Sequence, residues 1–150
     1  MSHYLDSILP TLSFAKFKAF DKNNMTIASC GPLNIYMYAP EDLQFIELFS
    51  IVKEIDNNLI NYKKVLKLNL PGSRLNALRV GLDDNGRVCA TLRIDFKQPN
   101  ATEIDEALRS FEKGALKIID LLTVSDDIDN TQIDIENTVS VSNFNSMLSV

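Results

Sequence analysis

The sequence predicts an α+β domain: an antiparallel sheet of about five strands with helices packed on it, in the order α-β-β-β-α-β-β-α. Three observations carry that expectation. Residues 80–96, VGLDDNGRVCATLRIDF, alternate apolar and polar positions on both sides of an acidic, glycine-bearing turn, as a hairpin wet on one face does. Residues 25–38 repeat the arrangement around Gly31 and Pro32. Ile104, Leu108, Phe111, Ala115, Ile118, Ile119 and Leu122 recur at helical spacing, and such a stripe belongs on a sheet.

In chain order, the first segment, Ser2 to about Phe20, places Leu5, Ile8, Leu9 and Leu12 at helical spacing with Ser2 as cap. Pro10 interrupts it by removing one backbone hydrogen bond and crowding the preceding turn, so a kink or a break is expected there. Met25 to Cys30 reads as a strand, Gly31 and Pro32 as a turn, and Leu33 to Tyr38 as the partner strand, with Leu33, Ile35 and Met37 opposed to Asn34, Tyr36 and Tyr38. Phe45 to Val52 is apolar on both faces except at Glu47 and Ser50, which suits a central strand covered above and below. A short helix from about Asn57 to Leu68 has Leu59, Tyr62, Val65 and Leu66 on its stripe, and Leu70, Pro71 and Gly72 end it. Thr102 with Asp105 approximates a capping box at the start of the final helix.

The register of the late hairpin follows from its alternation. A two-residue loop of Asn85 and Gly86 would set Leu82 opposite Cys89 and Val80 opposite Thr91, apolar beside polar. A three-residue loop of Asp84, Asn85 and Gly86, with Gly86 left-handed, instead pairs Leu82 with Val88, Val80 with Ala90 and Leu78 with Leu92. All the apolar residues then share one face.

The 150 residues, 45% of them hydrophobic, suffice for one domain burying roughly 68–70% of its unfolded surface. Residues 1–124 hold all 15 Lys and Arg and 15 of the 20 Asp and Glu, so this body is neutral. The tail, residues 125–150, holds Asp126, Asp127, Asp129, Asp134 and Glu136 and supplies the whole net charge of −5. A neutral body argues against nucleic acid, which needs a concentrated basic row; Lys63, Lys64 and Lys67 are better explained as a solvated helix face. No run approaches the ~20 apolar residues of a membrane span, and the start MSHYLDSILP is unlike a secretory signal, so a cytosolic chain is expected. Cys30 and Cys89 lie in strand-like runs, where a small buried thiol is the simpler reading.

Catalytic signals are scarce. His3 is the one histidine, so the core can hold no Ser-His or Cys-His pair and no histidine-containing metal site. Five isolated glycines exclude a phosphate-cradling loop. The pairs Glu41-Asp42, Asp83-Asp84 and Asp126-Asp127 fall in turns or the tail, where solvated carboxylates are expected. No enzyme, metal or cofactor is expected. What remains is surface for binding, and a sheet edge can accept another chain along its backbone.

In length, element order, the Asp21-Lys22-Asn23-Asn24 turn before the first strand, the DDNG hairpin and the amphipathic last helix, residues 2–122 resemble the class I type III secretion chaperones, the family of the Tir chaperone. The resemblance implies a homodimer in the bacterial cytoplasm, without cofactor or catalytic residue. Each dimer would hold the amino-terminal region of a secreted effector in extended form for the export apparatus. It implies a dimer contact on the second helix and the following strand: Leu59, Tyr62 and Leu66 with Leu75 to Leu82, including Leu78 and Val80. Effector pockets are then expected between Leu5, Leu9 and Leu12 and the sheet residues Ile27, Leu33, Ile35 and Met37. Pro10 departs from the usual first helix. Effectors of the family tend to carry a strand signature that Ile135, Val139, Val141 and Asn143 of the tail also match, so the tail reads as a ligand-like strand at 133–143 that competes with cargo. A chain of this class also fits an immunity-type inhibitor binding a folded toxin domain.

Overall fold

The computed structural model describes residues 4–42, 44–56, 58–70, 75, 77–95 and 97–127, the side chains of 124–127 aside. The chain divides into two units, Met1–Ile119 and Asp120–Val150. The tail strand expected at 133–143 lies outside the described residues.

The expected order of elements is present: two 3-10 turns (Tyr4–Ser7 and Leu9–Thr11), β1 (Met25–Cys30), β2 (Leu33–Tyr38), β3 (Phe45–Glu54), α1 (Leu59–Lys67), β4 (Arg79–Leu82), β5 (Arg87–Asp95) and α2 (Ala101–Asp127). The strands form one antiparallel sheet in the order β1-β2-β3-β5-β4.

The first helix is shorter than its apolar spacing suggests. Pro10 sits in the second 3-10 turn, and Leu12 is already extended. Residues 12–20 continue as a strap without regular structure, bent at Ser13 and Phe14, because side chains from elsewhere take its backbone donors. The Asp105 carboxylate accepts from the Ser13 and Phe14 amides at 3.0–3.1 Å and from the Ser13 hydroxyl at 2.9 Å, while Asp6 accepts from the Phe20 amide at 2.9 Å. A helix would have used those donors internally.

Both hairpins have the loops that their alternation requires. Val80 faces Ala90 and Leu82 faces Val88, as the three-residue loop demands, and Gly86 has φ +75°, which an L-residue adopts only with strain. The Asp83 carboxylate accepts from the Asn85 and Arg87 amides and from Arg87 Nε at 2.7 Å, holding the loop closed. In the first hairpin Cys30 faces Leu33 across a two-residue loop whose Gly31 has φ +58°. A proline fixed near −65° follows, giving the φ signs of a type II′ turn.

The final helix begins differently from the capping-box expectation. Asn100, rather than Thr102, is the cap: its side-chain oxygen accepts from the Glu103 amide at 2.9 Å. Asp105, freed from capping, reaches the strap. At α1 the cap is Asn58, accepting from the Asn61 amide at 2.9 Å.

The core lies on one face of the sheet. Leu33, Ile35, Met37, Leu48, Val88 and Ala90 turn inward and are buried, as are Ile104, Leu108, Phe111, Ala115 and Ile118 of α2. Burying each large side chain contributes roughly 1.5–3 kcal/mol. Leu78 joins this core beside Gly114, where a Cβ would lie 2.6 Å from a Leu78 methyl carbon.

Candidate functional site

Three surfaces could receive a partner: the outer face of the sheet, its two edges, and the open side of α1. The outer face alternates with the core. Ile27, Tyr36 and Phe49 lie in register across β1, β2 and β3 and are half-buried. The Tyr36 and Phe49 rings stack at 4.7 Å with planes 8° apart. Next to them, Tyr38 and Phe45 tilt together at 6.0 Å, and the Arg93 guanidinium lies 3.8 Å from the Phe45 ring centroid. Offset rings and a cation over a ring face are favourable arrangements at about 0.5–1.5 kcal/mol each. The expectation that β3 is covered on both sides therefore needs correction: Phe45, Phe49 and Ile51 stay partly exposed. An apolar run identifies a central strand without saying which layer covers it.

The edges differ in how their backbones are satisfied. On β4, the Val80 amide donates to Asn69 Oδ1 at 2.7 Å, and Asn69 Nδ2 donates to the Val80 carbonyl at 2.6 Å. The Asn69 carboxamide thus stands in for a neighbouring strand's peptide and caps the middle of a four-residue edge strand. On β1, the Met25 amide donates to the Asp21 carboxylate at 2.9 Å, and the Asp21 amide donates to the Met25 carbonyl at 2.9 Å. Met25 therefore points away from β2. Strand alternation then turns the backbone groups of Ile27 and Ser29 the same way. Among the described residues no hydrogen bond reaches those outward groups.

On α1, Leu59, Ile60 and Leu66 are 61–68% exposed, while Val65 is the buried anchor of the helix. Leu70, just beyond the helix, adds to the exposed apolar surface.

The residues expected from the sequence to meet an effector are placed in two groups. Leu5, Leu9, Leu12, Leu33, Ile35 and Met37 come together, but as closed core at 7% exposure or less. Ile27 lies on the opposite face. Of the expected dimer residues, Leu59 and Leu66 are exposed and Tyr62 is half-buried, whereas Leu78 and Val80 are interior side chains. Asn69 gave no warning in the sequence, since a lone Asn near a helix end usually reads as a turn residue. The aromatic row was visible in the alternation of Tyr36 and Tyr38 with Ile35 and Met37.

Nothing in the described residues supports covalent or metal chemistry. No cluster of His, Cys, Asp and Glu could hold a metal ion among them. Burial pushes both thiols up, with Glu112 adding to the effect at Cys30 and Asp83 at Cys89, which leaves them protonated and poorly nucleophilic at neutral pH. Asp105 is the most engaged carboxylate. Burial pushes it upward, but the Ser13 and Phe14 amides, the Ser13 hydroxyl and the Arg109 charge outweigh that and hold it below its ordinary value. Arg109 also donates to the Ser13 hydroxyl at 3.0 Å, so the group is structural. No helix of the described residues is long and apolar enough to cross a membrane.

No family model matches the chain, and no curated protein sequence is recognisably similar to it. Solved structures are similar in fold. A chain of the ExsC-ExsE complex superposes with a TM-score of 0.60 at 18% identity, covering 70% of this chain and 80% of that one. A chain of the HopA1-SchA chaperone-effector complex gives 0.56 at 12% identity, covering 77% and 90%. A chain of the complex between the Yersinia pestis type III secretion chaperone SycH and a stable fragment of YscM2 gives 0.54 at 12% identity, covering 75% and 94%. The likeness is one of architecture, spanning most of both chains.

Proposed function

We propose that a chain with the fold of type III secretion chaperones and a sheet edge left uncapped is itself such a chaperone. It binds the amino-terminal region of a type III effector in extended form and keeps it competent for export from the bacterial cytoplasm. A segment held unfolded loses its ordering entropy on binding, roughly 1–2 kcal/mol per residue for the backbone. The offset has to come from a long wrapped path that combines backbone pairing with apolar contact. A free sheet edge beside a half-buried aromatic row supplies both kinds of contact. That edge is the observation on which the proposal rests, in a fold otherwise seen in chaperone-effector complexes.

The working unit is a homodimer. Leu59, Ile60 and Leu66 form an exposed apolar stripe on a helix that has no other use for it. The export apparatus would read the dimer with its cargo. The tail segment around Ile135, Val139, Val141 and Asn143 competes with the effector; deleting residues 128–150 should tighten effector binding, and unchanged affinity would reject competition.

Co-expression with the neighbouring open reading frames, followed by mass measurement and limited proteolysis, tests the function. Two copies of this chain per partner, with the partner's amino-terminal region protease-sensitive once released, are expected. A partner that stays compact and protease-resistant would instead make the chain an inhibitor of a folded domain.

A further inference from the structure

We propose that Asn85 is a modification site: in a chain whose late hairpin has opened, water converts it to aspartate or isoaspartate, and the closed turn holds that reaction off. Asn85-Gly86 is the one Asn-Gly step in the 150 residues. An Asn side chain is attacked by the amide nitrogen of the residue after it, and a glycine there has no Cβ to crowd the approach. A base takes the Gly86 amide proton, the nitrogen bonds to Asn85 Cγ, and the Cγ–Nδ2 bond breaks with loss of ammonia. The product is a five-membered cyclic imide. Water then opens one of its two C–N bonds. Cleavage at Cγ leaves aspartate, and cleavage at the main-chain carbonyl leaves isoaspartate, in which the backbone runs through the side chain. Nothing is oxidised or reduced. Asn85 is exposed and the space where a Gly86 Cβ would stand is open, so side chain and solvent are both at hand.

The closed turn withholds the nucleophile. The Gly86 amide donates to the Asp83 carbonyl at 3.0 Å, so the proton that must leave is engaged. Gly86 is fixed at φ +75°, and the Asp83 carboxylate pins the residues on either side of it through the Asn85 amide at 3.0 Å and the Arg87 amide at 2.8 Å. Asp83 and Asp84 also set negative charge near a nitrogen that has to become an anion. Opening the hairpin releases the amide and both of its pinned neighbours together. Conversion of Asn85 therefore marks molecules that have opened, since an unfolded segment is modified before it can close again.

The two products differ in consequence. Aspartate adds a third carboxylate to an exposed turn and keeps the length of the backbone. Isoaspartate lengthens a three-residue loop by one backbone carbon, which the pairing of Leu82 with Val88 and of Val80 with Ala90 cannot absorb. Val80 is also the residue that Asn69 clamps, so loss of this register undoes the clamp. A hairpin that stays open long enough to react is thereby kept from closing.

The test compares the full-length chain folded and in urea at one pH, with Asn85 followed by peptide mapping and mass spectrometry and isoaspartate counted by enzymatic methyl labelling. Conversion in urea should run at least about tenfold faster than in the folded chain. The ratio of the two rates should equal the exchange protection of the Gly86 amide to within about threefold, since both reactions wait for the same N–H. Asp83→Ala, which removes the carboxylate that pins the turn, should raise the folded rate at least about threefold and leave the urea rate within about twofold. If that variant does not fold, the exchange comparison on the unaltered chain decides. In the purified isoaspartate form, Val80 protection should fall at least about tenfold, against less than about twofold for Asn85→Asp. Equal rates in the two states, or a folded rate unrelated to Gly86 protection, would overturn the gate. Intact Val80 protection in the isoaspartate form would overturn its consequence, and no conversion of Asn85 in urea would overturn the site itself.

Discussion

The inner and outer faces of the sheet come from the same alternating strands but hold their side chains in different ways. Inside, Ile35, Met37, Leu48 and Val88 are closed off, and the buried stripe of α2 faces an equally buried layer. Outside, Tyr36, Phe49, Tyr38 and Phe45 lean on one another and keep part of their surface wet. A side chain removed from the inner face leaves a void that packing cannot close, whereas one removed from the outer face leaves a place for water. The inner face should therefore report on stability and the outer face on recognition.

The largest expected effect breaks the inner face. Phe111→Ala, at a position with no exposure, should destabilise the chain by about 3–5 kcal/mol, read as a shift of the urea midpoint. A loss below about 1 kcal/mol would mean that the α2 stripe is not the core. Next comes Asp105→Asn, which replaces a buried acceptor of strap donors and should cost about 2–3 kcal/mol. Its pH dependence has a definite sign. The folded carboxyl is held below its ordinary value, so its contribution is full at neutral pH and is lost as pH falls through about 4 and below. The gap between the two proteins in urea melts should close over that acid range and stay constant from pH 6 to 8.

Smaller effects sharpen the contrast. Phe49→Ala removes one ring of the outer stack and should cost about 1 kcal/mol in stability while weakening effector binding more than tenfold. If the stability loss instead equalled that of Phe111→Ala, the two faces would not differ as described. Leu66→Glu alters an exposed helix position and should change stability by less than about 0.5 kcal/mol. Its readout is mass in solution, where the proposed homodimer should fall to the monomer.

Much of this architecture was legible in the residues, for identifiable reasons. In 80–96 a one-residue slip would put Val80 and Val88 among polar neighbours, so alternation left one register, and it is the one found. The long stripe from Ile104 to Ile118 has no strand reading. What alternation cannot convey is which of two faces is covered, and this is why Leu33, Ile35 and Met37 suggested accessible pockets and proved to be interior. Nor can local spacing foresee donors claimed from a distance. The apolar spacing of 5–12 argues for a helix on into 20, but a carboxylate 92 positions away holds Ser13 in a non-helical strap. The same carboxylate sits where a capping box would want it, three residues after Thr102, and Asn100 caps the helix instead. The clamp at Val80 was equally hidden, because an Asn side chain advertises a hydrogen bond without naming its partner.

The tether between Ser13 and Asp105 also bears on the order in which the molecule can be made. A ribosome adding roughly 5–20 residues per second reaches position 105 about 5–20 s after position 13, and the exit tunnel lengthens the wait. Through that interval the nascent strap lacks its Asp105 tether and the half-built sheet its α2 cover. Vectorial synthesis thus presents an unfinished chain with greasy strands on show, and a release from the ribosome before α2 emerges should yield a product prone to clumping.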